Sequence, residues 1–308
     1  MSASPHPRNL IPIVLLALVF LLPSSALAQS DKAPLQVIYP QTQDGETKRS
    51  FAYQLLQLSL EKSGHPFSLS LSTEKRSEAQ AREQLLKQHS GIHVIWAETS
   101  SMMEQKLRPI PIPTHGGLSG YRLFVIHREM QPRLSGVRDM ERLKTLTAGI
   151  PSGGSEVEIF QKAGLQVRSE PLDELYRLVA KGRVHYVPLR INTIYSVVKQ
   201  RRQTIPQLAV DKKLLLIYPS ASFFFVHPQN EPLHAAILAG LSKAHEDGSF
   251  IRLFQNHPST ANSTRRAHIW NRRALRIANP QMSDAVQNIP ERYLFNDQWL
   301  AKLQHPAR

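Results

Sequence analysis

Residues 116–195 constrain the fold of this chain more than any other stretch. An apolar strand, Tyr121–Ile126, opens a run in which short apolar segments alternate with helical ones, and a Gly/Ser turn, Ser152–Ser155, stands between a strand and a helix. Strands alternating with helices require a sheet covered by helices. The predicted order is helix Val137–Leu143, strand Thr145–Ile150, helix Glu156–Ala163, strand Leu165–Ser169, helix Leu172–Ala180, strand Val184–Leu189 and helix Asn192–Gln200. The preceding part reads in the same way. Strand Leu35–Tyr39, helix Phe51–Lys62 stopped by Gly64, strand Phe67–Leu71, helix Ser77–His89 and strand Ile92–Ala97 give a β-α-β-α-β series, the pattern of a mainly parallel sheet. Leu214–Ile217 and Ser222–Val226 then read as a return crossing, followed by helix Leu233–Glu246. Two α/β units joined by two crossings set a ligand cleft at the strand C-termini.

The first 28 residues stand apart. Arg8 precedes the apolar run Leu10–Leu22, which is short for a bilayer span, and Ala26-Leu27-Ala28 fits a cleavage site before Gln29. The expectation is a cleaved signal peptide over 1–28 and a periplasmic address. The chain has no cysteine, so neither disulfides nor thiol chemistry enter. Lys and Arg number 38 against 24 Asp and Glu. That surplus suits anionic ligands or surfaces, but it is spread along the chain and no nucleic-acid motif accompanies it, so no nucleic-acid partner is expected.

At this point the residues resemble a family. Gly117-Leu118-Ser119-Gly120-Tyr121-Arg122-Leu123-Phe124-Val125-Ile126, the segment Gly182–Arg190 and the strand end Trp96-Ala97-Glu98-Thr99-Ser100 are similar to motifs of a poorly characterised subgroup of the type II periplasmic solute-binding proteins, in the family 3 (amino-acid-type) branch. The resemblance covers roughly residues 35–256. It implies an α/β fold of two lobes with a cleft between them, lobe 1 being 35–120 with 218–256 and lobe 2 being 121–217. Residues 257–308 are expected to form a C-terminal extension packed on the body, as Trp270, Tyr293 and Trp299 suggest. It further implies capture of a small polar, anionic solute for an inner-membrane transporter or sensor, by a monomer without catalytic activity or cofactor. The alternative is an envelope sensor or interaction protein that uses the same fold. Two positions depart from the family pattern: Arg190 stands where a strand-end aspartate is usual, and Ser155-Glu156 where the subgroup often has Trp-Asp.

The candidate ligand-binding residues follow from the strand ends. Ser152, Gly153, Gly154 and Ser155 precede a helix, where free N–H groups favour an anion; the same residues could serve as a plain helix cap, with Ser155 and Glu158 forming a capping box. Arg190 suits a carboxylate or phosphate. Trp96 offers a stacking wall or a core position, Glu98 a partner for a ligand cation, and Tyr39 a floor. Arg122 reads as a brace for the hinge. Thirteen histidines show no ligand spacing and read as core or surface residues, so no metal is expected. No nucleophile elbow or carboxylate pair appears.

Overall fold

The computed structural model describes residues 1–2, 33–42, 47–87, 91–153, 156–295 and 299, leaving aside the side chains of 42 and 261–264. The body is Ala33–Arg308, and the signal-peptide expectation lies almost wholly outside the described residues. Among the described residues no helix is long and apolar enough to cross a membrane.

The first half is built on two sheets. Strands β1 (Leu35–Thr42) and β2 (Phe67–Arg76) pair in parallel, with Leu35 opposite Phe67. The register shifts between Tyr39 and Gln41. Pro40 lacks the N–H a ladder needs, and the Gln41 N–H turns instead to the Ser72 hydroxyl at 3.0 Å. Strands β3 (Val94–Glu98) and β4 (Arg108–Ile110) flank a strand from much later in the chain. Helix Phe51–Ser63 begins at Ser50, whose hydroxyl accepts from the Tyr53 N–H, and ends at Gly64 in the left-handed region. It buries Phe51, Leu55, Leu56 and Leu60.

The second half is organised by β5 (Tyr121–His127), of which Arg122 through Ile126 are buried. Strands β6 (Thr147–Pro151) and β7 (Gln166–Glu170) pair in parallel. Strands β8 (Val187–Arg190), β9 (Leu208–Val210) and β10 (Leu214–Ile217) each pair antiparallel with β5. The chain returns through β11 (Ser222–Val226), wholly buried and central between β3 and β4. Strand β12 (Arg273–Arg276) then lies parallel to β10 at the edge of the second sheet. The mainly parallel first sheet expected from the sequence is thus two sheets, parallel β1–β2 and antiparallel β3–β11–β4, because β3 finds its ladder on the return strand β11.

Boundaries shifted in places. The expected strand Val184–Leu189 begins only at Val187; Tyr186 is buried because it bridges to Ala148, not because it continues β8. The helix expected at Val137–Leu143 is the shorter Met140–Lys144, capped by Asp139, since Gly136 closes a preceding short helix, Gln131–Ser135. The two crossings between the halves touch. Gly120 O accepts from the Tyr218 N–H at 3.2 Å, and a Cβ on Gly120 would lie 1.8 Å from Tyr218 O, which restricts this position to glycine.

Candidate functional site

Strand ends from both halves converge on a cleft of about 670 Å³, within the roughly 300–1,000 Å³ usual for small-ligand sites. Glu98 ends β3 and Arg190 ends β8, and the two form an ion pair across the cleft. Glu98 also accepts from the Ser220 hydroxyl on the return crossing. The pair is open to the cleft, with side-chain exposures of 39% for Arg190 and 31% for Glu98. Arg82 and Lys106 contribute further cationic side chains, and Glu83 and Glu156 further anionic ones. The site therefore carries both signs of charge.

Behind Arg190 lies a second set of polar groups. Arg122 is 1% exposed. Its Nε donates to Glu156 Oε1 at 2.7 Å, its terminal nitrogens to Ser119 O and the Tyr218 hydroxyl, and its guanidinium lies 4.9 Å from the Tyr218 ring centre. Tyr218 in turn donates to Glu156. Burial pushes the Tyr218 hydroxyl well above the ordinary phenol range, so it stays a donor. Arg122 joins β5, the Gly120 crossing, the return crossing and the first turn of helix Glu156–Lys162, which is what a hinge brace would do.

Of the residues predicted from the sequence, Glu98, Gly153 and Arg190 line this cleft. Ser152 is exposed, its N–H spent on Glu170 O at 3.0 Å. Gly154 and Ser155 lie outside the described residues, as does any capping box they would form. Tyr39 and Trp96 line separate small cavities, not the main cleft. Tyr39 is 2% exposed, edge-on to Tyr53. Trp96 donates its indole N–H to Thr114 Oγ1 at 2.9 Å, and its ring packs beside His115. Two partly buried histidines act as backbone acceptors. His93 Nδ1 accepts from the Ile38 N–H at 3.1 Å, and His185 Nδ1 from the Thr147 N–H at 2.8 Å. Burial holds His115 down at about 4, with His257 adding to it. Among the described residues no group of three or more His, Asp or Glu side chains is placed to hold a metal ion.

Residues that the sequence reading passed over also line the cleft: Arg82, Thr99, Glu156, Tyr218 and Ser220, with Asn279, Gln281 and Ser283 from the C-terminal extension. The Ser155-Glu156 departure was the one available signal for Glu156. Nothing periodic marks Asn279–Ser283, which sit in a proline-containing turn.

No protein-family model matches this chain, and no curated protein does. Solved structures do. The probable amino-acid ABC transporter extracellular-binding protein ytmK from Bacillus subtilis aligns with a TM-score of 0.54 and 13% identity, over 74% of this chain and 100% of that one. An ancestral arginine-binding protein bound to arginine gives 0.48 and 15% over 74% and 99%. A histidine kinase sensor domain with similarity to periplasmic binding proteins gives 0.48 and 13% over 73% and 96%. At such identities the likeness concerns the fold alone: this chain has the two-lobed α/β fold that ytmK also has.

Proposed function

We propose that this chain is an exported binding protein that closes two lobes, 35–120 with 218–256 and 121–217, on a small polar solute and presents it to an inner-membrane transporter or sensor. It acts as a monomer in the periplasm after loss of residues 1–28, without a catalytic step. The observation that carries this reading is the accessible Glu98–Arg190 pair, held between strand ends of the two halves. A solute with an anionic group for Arg190 and a cationic or donor group for Glu98 replaces the internal pair without leaving either charge unmatched. Because Arg190 is already paired, an anionic group alone would strand Glu98. The solute class is therefore narrower than the basic composition suggests.

Thermal shift over a metabolite library tests the reading, followed by calorimetry with any compound that raises the melting temperature. Arg190→Ala is expected to weaken binding by about 2–3 kcal/mol, the range for a hydrogen bond to a charged group. Unchanged affinity would remove Arg190 from the site.

A second reading is favoured by the same internal pairing. A cleft whose charges satisfy one another resembles one that has given up its solute and serves as a docking face for an envelope partner. A flat thermal screen, with co-purification of a membrane protein, would support it.

A further inference from the structure

The C-terminal extension crosses the cleft. It leaves the second sheet through β12, where the Ile277 N–H donates to Ile217 O at 3.0 Å. Asn279 Nδ2 then donates to Pro219 O at 2.8 Å, and Gln281 donates to Glu158 on the second lobe. Four residues later the Ala285 N–H donates to Glu104 of helix Ser101–Lys106, on the first lobe, at 3.3 Å. The Phe295 N–H reaches Gly116 O at 2.7 Å, and the Tyr293 hydroxyl lies 3.0 Å from that of Ser242.

Ser283 stands in the middle of this crossing and lines the cleft. It precedes the short helix Asp284–Gln287, where a serine ordinarily caps with its hydroxyl. Here the hydroxyl makes no cap. The Val286 and Gln287 N–H groups donate to the Ser283 carbonyl at 3.1 and 3.0 Å. Ser283 is 2% exposed, and its Oγ is buried with no hydrogen-bond partner among the described residues. A buried hydroxyl without a partner is a cost to the ligand-free fold.

We infer that the extension is a third wall of the solute site, with the Ser283 hydroxyl as a direct solute contact that helps decide which solute is retained. This rests on the reading of the Glu98–Arg190 cleft as a solute site. The solute that bridges Glu98 and Arg190 supplies the partner Ser283 lacks, and Asn279 and Gln281 hold the wall in place through Pro219 on the return crossing and Glu158 on the second lobe.

The test uses the full exported chain as wild type, Ser283→Ala and Arg190→Ala. Its probes are the twenty common L-amino acids with lactate, malate and citrate, the simplest solutes that join a carboxylate to a donor or cation. Thermal shift identifies a probe and calorimetry measures it. Ser283→Ala is expected to melt, without probe, at or above the wild-type temperature, and to bind the active probe roughly fivefold more weakly; Arg190→Ala loses the shift. A clear fall in the probe-free melting temperature of Ser283→Ala would show that the hydroxyl has a structural partner and overturn the inference. Wild-type affinity in Ser283→Ala with loss in Arg190→Ala would overturn the third wall and leave the cleft reading standing. No shift with any probe in wild type would sink the solute reading of the pair and this inference with it.

Discussion

Arg122 shows how one side chain can join several segments. A guanidinium taken out of water must find partners for its donors, and those of Arg122 are a carboxylate, a carbonyl and a phenol drawn from three segments of the chain. Its ion pair with Glu156 is asymmetric, the side chains being 2% and 26% exposed. Removing the arginine would leave Tyr218 and the Ser119 carbonyl buried without it. Arg122→Ala is therefore expected to lower unfolding stability by about 3–5 kcal/mol, read from urea denaturation. Arg122→Lys should recover only part of this, because a point charge cannot reproduce the fork. Arg122 could be read from the sequence as a brace by its place at the crossing. Glu156 could only be read as a departure, since its pairing depends on contact across 34 residues of chain.

Elements became legible in proportion to how much of their burial is periodic. Helix Phe51–Ser63 announces itself through Ser50, its apolar face and Gly64. Strand β11, with every residue buried, is equally plain. Strands β4, β9 and β12 have three or four residues, too few for alternation to show, and β12 buries only Leu275. The site follows the same rule. Glu98 and Arg190 are visible as strand ends, but their meeting across 92 residues is a property of the fold. Helix packing adds one further demand on sequence. Helix Glu231–Glu246 lies against helix Phe51–Ser63 so closely that a Cβ on Gly240 would stand 1.7 Å from Ser59 O. Because backbone must yield, Gly240→Ala is expected to cost about 1–3 kcal/mol despite its better helix propensity. A melting temperature at or above wild type would refute this close approach.

At the scale of the whole molecule, two features govern how the lobes relate. The crossings meet at Gly120 and Tyr218, where a single backbone hydrogen bond and the absence of a Cβ bring them together. The extension ties the two halves a second time, far along the chain from that meeting point. Its anchor is Arg272, which donates to Asp211 O at 2.7 Å and Leu214 O at 3.0 Å just before β12 begins. Strand β10 carries Leu214, Leu215, Leu216 and Ile217, all buried, and β12 occupies its outer ladder. A strand of that composition with an open edge is a template for pairing with another chain. A form ending before Arg273 is therefore expected to self-associate with rising concentration, seen as growing mass in light scattering, where the full chain holds constant. The chain from β12 onward would then act as a cover for the β10 edge, keeping that row of backbone donors and acceptors from a second copy.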